Sequence, residues 1–301
     1  MKNPIKGIIP PVITPLINNY TLDVQGIENL VEHLISGGVH GIFILGTTGE
    51  APSLSHKLRK DFIKRTCELV NHRIPVMVGI TDTSFEDSLE ISEYSKKVGA
   101  DAVVVAPPYY IPISQMEMIY YLENLIPRSP LPLLLYNMPS HTKLHMDIQT
   151  VQAGKDLGAI GIKDSSGDLF YQTSLIEKFK DSPEFSIITG TELFIPETIM
   201  MGGHGAIAGG ANMFPKLFVA FYEASLARDF ERISALREIV MGLYNTIYNV
   251  SSNSSKYIKG IKCVLRTIGI CNDYAAFPLC RYEGEEREKI KGYVAAMKNL
   301  G

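Results

Sequence analysis

From residue 7 onward, short β-rich apolar runs alternate with longer segments of helical period, and this alternation is the pattern of repeated βα units on a parallel sheet. The runs are GIIPPVI (7–13), GIFILG (41–46), PVMVGI (75–80), AVVVAP (102–107), LPLLLYN (131–137), AIGIKD (159–164), FSIITG (185–190) and GAIAG (205–209), eight in all. Between the first two, DVQGIENLVEHLISGG predicts a helix with Val24, Ile27, Leu30, Val31, Leu34 and Ile35 on one apolar stripe and a Gly pair as its stop. SHKLRKDFIKRTCELVN and SFEDSLEISEYSKKVG follow the same plan. The runs are apolar throughout rather than strictly alternating, which suits strands buried on both faces. A (β/α)8 TIM barrel is the expected fold.

Such barrels take about 250 residues, so a chain of 301 has material to spare. We expect the barrel over residues 1–225 and a helical extension, packed on it, over 226–301, with the polar SSNSS (251–255) as a turn between extension helices. The net charge of -3 comes with no basic block, which argues against nucleic acid and for a small-molecule ligand. Cys67, Cys263, Cys271 and Cys280 form no CxxC pair, and the seven histidines form no ligand cluster, so reduced thiols and no metal are expected. No apolar run approaches the roughly 18 residues of a membrane span, and the start MKNPIKGIIPP lacks a long apolar stretch. No membrane partner and a cytoplasmic location are the expectations.

In a barrel the chemistry sits at the carboxyl ends of the strands. The second run ends in Gly46-Thr47-Thr48-Gly49-Glu50, where the glycines allow a tight turn whose amides can converge on a carboxylate; an ordinary Gly-rich turn with capping hydroxyls fits the same residues. The fourth leads into Pro107-Pro108-Tyr109-Tyr110 and the fifth ends in Tyr136-Asn137-Met138-Pro139-Ser140. Tyrosines there can relay protons or simply cover the barrel mouth. The sixth places Lys163 directly after buried wall residues. Desolvation favours the neutral amine, the form that attacks a ketone carbon, whereas an ion pair with Asp164 or Glu50, or snorkelling to solvent, would make the same lysine structural.

Taken together and in this order, GTTGE, PPYY, YNMPS and GIKDSSGD resemble the dihydrodipicolinate synthase and N-acetylneuraminate lyase family of Schiff-base aldolases. PPVITPL at the start, GGHGAI at the eighth run and the helical tail extend the likeness over nearly the whole chain. The resemblance implies a Schiff-base lysine at Lys163 and a proton-shuttling tyrosine at Tyr136. It also implies Thr47 as the link from Tyr136 to Tyr110, which synthase-type members insert from a neighbouring subunit. A homo-oligomer, a homotetramer built as a dimer of dimers, is thereby implied. Thr48, with the amide of Thr47, would hold the carboxylate of a 2-keto acid such as pyruvate, and Ile207 would offer a backbone carbonyl near the lysine. No cofactor is implied beyond the covalent imine.

Synthase-type members carry an arginine two residues after the proline of YNxPS, where it clamps the far carboxylate of the aldehyde; here that position is His141. A histidine cannot make the two-pronged clamp, and Lys143 would offer only a point charge. Thr189-Gly190-Thr191-Glu192 resembles the region where sialic-acid lyases contact a long hydroxylated substrate, with Gly190 at the strand end; Glu192 reads equally as a first-turn helix residue. The feedback-lysine site of the synthases is matched only at His56 and Tyr109. The expected function is a class I lyase that uses or releases pyruvate, acting on a 2-keto-3-deoxy sugar acid or similar compound. The alternatives are 4-hydroxy-tetrahydrodipicolinate (dihydrodipicolinate) synthase, joining pyruvate to aspartate semialdehyde, and a non-catalytic binder of keto or sugar acids.

Overall fold

Each apolar run supplies a short parallel strand, and the strands pair in chain order around a ring. The structure, a computed structural model, describes residues 4–298. Its strands are β1 (Gly7–Ile8), β2 (Leu16–Asn18), β3 (Thr21–Leu22), β4 (Ile42–Ile44), β5 (Val76–Gly79), β6 (Ala102–Val105), β7 (Leu133–Asn137), β8 (Gly161–Asp164), β9 (Ser186–Thr189) and β10 (Gly205–Ala206). Eight of them form one parallel sheet in the order β1-β10-β9-β8-β7-β6-β5-β4. The ring closes between its ends: Phe43 N–H donates to Pro10 O (3.0 Å), and Val12 N–H donates to Phe43 O (2.8 Å). The (β/α)8 TIM barrel read from the alternation is the fold.

The ladders are shorter than the apolar runs. The first run shrinks most, to Gly7–Ile8, because Pro10 and Pro11 have no N–H to give a ladder; the chain still runs on to meet β4 through Pro10 O and Val12 N–H. The antiparallel hairpin β2–β3, which the pattern did not predict, sits before the first helix. Helices begin where a side chain takes up their free amides: Asp23 for Val24–Ser36, Ser55 for His56–Val70, Ser84 for Phe85–Lys97, Ser114 with Glu117 for Gln115–Leu125, and Asp168 for Leu169–Phe179. Val24 corrects the predicted stripe: it is 53% exposed while Ile27, Leu30, Val31 and Leu34 are buried. As the first helical residue, its side chain tilts off the N-terminal end rather than onto the sheet.

The core has two compartments. Ile5, Ile9, Phe43, Met77, Ala102, Val104, Leu134, Tyr136, Ile188 and Ile207 fill the barrel interior, and a larger cluster lies between strands and helices. Residue 225 falls within the helix Pro215–Ala227, and the later helices Phe230–Asn245, Lys256–Thr267 and Gly284–Lys298 bury Ile233, Val240, Leu243, Val264, Leu265 and Ile290 in that larger cluster. Ser251–Ser255 lies between helical segments, as the polar turn predicted.

Two buried carboxylates connect the later helices to the strand ends. Glu50 pairs with the fully buried Lys262 and accepts from Ala276 N–H (2.8 Å), while Lys262 also donates to Thr14 O (2.9 Å) and Tyr274 O (2.7 Å). Glu192 accepts from Gly210 N–H, Tyr248 OH (3.2 Å) and Tyr257 OH (3.1 Å), and its burial, only partly offset by these donors, pushes its carboxyl up to about 7. It is the first residue of a short 3-10 helix, Glu192–Phe194, as the first-turn reading expected, and it is fully buried there as an anchor.

Lys262→Met leaves Glu50 as an unpaired buried charge and is expected to cost about 3–5 kcal/mol, seen as a large drop in Tm. For Glu192 the folded state holds the proton more tightly than the unfolded chain, whose carboxyl titrates near the ordinary 4.5. Its contribution to stability is therefore full below that value and is lost as pH rises through about 7. Glu192→Gln should remove this loss, so its stability relative to the parent should rise between about pH 5 and pH 8, by an amount on the order of 2–4 kcal/mol at full ionisation, read as a growing Tm difference. Parallel Tm-versus-pH curves for the two proteins would contradict this.

Candidate active site

The pairing of β7 with β8 sets Tyr136 opposite Lys163, and that of β8 with β9 sets Lys163 opposite Ile188, all inside the barrel at the carboxyl end. Lys163 is 5% exposed. Its Nζ lies 3.9 Å from the centre of the Tyr136 ring and 5.2 Å from that of Phe43. The structural alternatives for this lysine fail on geometry. Asp164, on the next residue and so on the other side of the strand, is taken by Asn137 Nδ2 (2.8 Å), Ser166 Oγ (2.8 Å) and Ser166 N–H (3.1 Å). Glu50 is taken by Lys262. Among the described residues Lys163 has no ion-pair partner, and it does not reach solvent.

Tyr136 is itself buried, stacks edge-on against Phe43, and brings its hydroxyl to 3.4 Å from Thr47 Oγ1. Thr47 lies in the turn after β4, which is held by Gly49 N–H to Gly46 O (3.0 Å), Glu50 N–H to Thr47 O (3.0 Å) and Thr14 Oγ1 to Gly49 O (2.7 Å). Leu45 and Glu50 bracket the turn with φ of 57° and 59°. The Leu45 carbonyl comes so close to β5 that a Cβ on Gly79 would sit 2.1 Å from it, so only glycine fits there. Within the turn the amides of Thr47 and Thr48 meet no acceptor among the described residues, which leaves adjacent donors for an anion.

A cavity of 230 Å³ opens above these groups, lined by Phe43, Thr47, Thr81, Tyr109, Tyr136 and His141, among others. Lys163 is not among the lining residues; its amine lies against the rings of Phe43 and Tyr136, which are. Thr48 is buried next to Thr47, and Ile207 is buried in the barrel interior with Tyr136, its N–H held by Thr189 O (2.8 Å). Gly190 lies at the end of β9 with its N–H on Asp164 O (2.6 Å) and its Cα face against Ser165, outside the cavity lining. Tyr110 is not brought to the others within one chain: it is 92% exposed, with a strained φ of 80°. Phe43 and Thr81 were missed by motif reading. Phe43 has a signal only in hindsight, as an inward position of its strand, and Thr81 lies one residue past the end of a predicted run.

At the mouth of the cavity His141 pairs through Nδ1 with Ser140 Oγ (2.9 Å). Partial desolvation, and then the Lys143 charge, hold its imidazole below the ordinary histidine value, so it is neutral at pH 7. Lys143 turns back to donate to Ser140 O (3.0 Å). His56 pairs with Asp82 (3.3 Å) and Asp87 (3.4 Å), and Arg59 holds Asp82 as well (2.5 Å). Each imidazole nitrogen faces a different carboxylate, and the ligand atoms of His56, Asp82 and Asp87 lie within 4.8 Å of one another, a His/Asp grouping that the sequence reading did not anticipate.

The model of the dihydrodipicolinate synthetase family matches residues 4–297. The 4-hydroxy-tetrahydrodipicolinate synthase of Polynucleobacter asymbioticus is 32% identical over 301 residues, covering 99% of this chain and 95% of that protein. The crystal structure of dihydrodipicolinate synthase from Bacteroides thetaiotaomicron is 47% identical and superimposes with a TM-score of 0.95, covering 98% of this chain and 100% of that one. YagE, an Escherichia coli K12 prophage protein of the dihydrodipicolinic acid synthase family solved in complex with pyruvate, is 27% identical with a TM-score of 0.91, covering 97% of this chain and 98% of its own. A buried, unpaired lysine beside a tyrosine in a barrel mouth and a match along almost the whole chain agree: this protein is a lyase that belongs to the dihydrodipicolinate synthetase family.

Proposed function

We propose that the protein is a pyruvate-dependent class I lyase in which Lys163 forms a Schiff base with the keto acid. The observation that carries the reading is the burial of Lys163 without an ion-pair partner, its amine against the face of Tyr136. The Lys163 amine attacks C2 of the ketone, and the carbinolamine loses water to give the iminium, with Tyr136 moving the protons and Thr47 next along the hydroxyl chain. The unengaged amides of Thr47 and Thr48, with the Thr48 hydroxyl, hold the carboxylate, and the Ile207 carbonyl lies near the imine, whereas Gly190, turned to Asp164 and Ser165, has no direct substrate contact in this reading. Loss of a C3 proton gives an enamine that adds to an aldehyde; in reverse, cleavage of a carbon-carbon bond leaves the same enamine. The imine is the electron sink, so the chemistry requires no cofactor.

Tyr110 would complete the hydroxyl chain of a neighbouring subunit, in a dimer of dimers. Its exposure, together with that of Ile111 (72%), Met116 (80%) and Tyr120 (69%), supports this reading, since an apolar cluster of that kind marks a contact surface. With no membrane-length apolar helix among the described residues, the enzyme is proposed to act in the cytoplasm.

The partner of pyruvate follows from His141. A neutral imidazole tied to Ser140, and a Lys143 turned back on its own loop, make a poor clamp for a second carboxylate, and a hydroxylated fragment, as from a 2-keto-3-deoxy sugar acid, fits better. The second reading, condensation with aspartate semialdehyde, is favoured by the synthase names of the relatives.

Incubation with pyruvate and borohydride, followed by intact mass, should show one reduced pyruvate per chain, mapped to Lys163 and absent from Lys163→Ala. A folded protein that gains no adduct sinks the Schiff-base proposal. Tyr136→Phe should lower kcat on the order of 10²- to 10⁴-fold. His141→Arg should raise turnover of aspartate semialdehyde with pyruvate by about 10- to 100-fold, the effect of one charge-assisted clamp. Efficient, saturable turnover by the parent protein, unchanged in the variant, would instead establish the synthase reading.

A further inference from the structure

Three of the four thiols are shut in the core. Burial pushes Cys67 up to about 12, Cys263 to about 11 and Cys271 to about 12, so all three are protonated and unreactive at neutral pH. Cys280 is the exposed one, on the segment between the helices Lys256–Thr267 and Gly284–Lys298. Facing it is Lys259, a lysine only 5% exposed. Lys259 Nζ lies 3.6 Å from Cys280 Sγ and 4.4 Å from the centre of the Tyr282 ring, with no carboxylate in ion-pair reach among the described residues.

A buried ammonium is ordinarily paired with an anion. A neutral thiol is a weak acceptor and an aromatic face a partial one, so the Lys259 donors are under-used until negative charge or an oxygen atom appears on the sulfur. An exposed sulfur beside a fixed cation is the setting of reactive cysteines.

We propose that Cys280 is a peroxide-reactive modification site, with Lys259 as the fixed cation that stabilises charge building up on the sulfur and on the departing oxygen. The sulfur gives an electron pair to one oxygen of hydrogen peroxide, and the O–O bond breaks. The thiol proton ends on the departing oxygen, leaving Cys280 sulfenic acid and one water. Sulfur is oxidised by two electrons and the peroxide reduced by two. The new oxygen then accepts from the Lys259 ammonium. The site is separate from the proposed Schiff-base chemistry, but the same segment carries Tyr274 and Ala276, whose carbonyl and amide hold Lys262 and Glu50 below the Thr47–Thr48 turn.

The test treats the full chain with low hydrogen peroxide and a 1,3-dione trap near neutral pH, with peptide mass spectrometry as the readout, on parent protein, Lys259→Met, Lys259→Arg and Cys280→Ser. The dione adduct should fall on Cys280, form about tenfold faster in the parent than in Lys259→Met, persist in Lys259→Arg and vanish in Cys280→Ser. Equal rates in parent and Lys259→Met would make Cys280 an ordinary surface thiol and overturn the proposal, as would no adduct or adducts spread over the other cysteines. Should Lys259→Met not fold, the parent is compared with itself unfolded in urea. Faster trapping of native Cys280 supports the site, and equal or slower trapping overturns it.

Discussion

Closure of the parallel ring is the constraint on which the rest of this molecule depends. It rests on the meeting of a proline-broken first strand with β4, where the two backbone groups of Phe43 bond to Pro10 O and Val12 N–H. Without that seam, β1 and β4 would be open edges, and the inward side chains of eight strands would have no enclosed interior to fill. Phe43 serves twice: its backbone makes the seam, and its ring forms part of the wall against Lys163. The residue that closes the barrel therefore also helps keep the amine dry.

With the ring closed, β7, β8 and β9 are locked in a register that sets Tyr136, Lys163 and Ile188 side by side. A slip of one residue would turn Lys163 to the helix layer and bring Asp164 into the barrel. Asp164 is fitted to its outer position by Asn137 and Ser166, so the register is held by polar bonds as well as by apolar packing. The two adjacent charged residues thus have opposite surroundings. The aspartate is fully bonded, and the lysine is left with the aromatic faces of Phe43 and Tyr136.

The helices after the barrel reach the strand ends through two carboxylates rather than by apolar packing alone. Glu50 and Glu192 follow β4 and β9, and each binds residues from the last third of the chain. Buried ion pairs add little net stability, yet they are costly to break and are satisfied in one arrangement only. Here that arrangement fixes the Thr47–Thr48 turn, which carries the unengaged amides. This is why GTTGE, a plausible capping turn when read alone, is held in the fold with two adjacent amides free of acceptors among the described residues.

Periodicity and composition were sufficient to determine the eight βα units, the barrel and the carboxyl-end location of Thr47, Tyr136 and Lys163, because burial of apolar strands and helix stripes is a local, repeating demand written into every unit. The β2–β3 hairpin, the exposure of Val24 and the shortness of β1 were not legible, since each depends on what lies beyond a helix end or on proline's missing N–H at a particular seam. Lys163 shows the limit most clearly. Spacing left it equally a nucleophile or half of an ion pair with Asp164 or Glu50, and only the tertiary structure removed the ion-pair partners, by giving Asp164 to Asn137 and Ser166 and Glu50 to Lys262, some two hundred residues from it in the chain. Ion pairing is a contest between partners brought together by folding, and a sequence states the candidates without stating who meets whom.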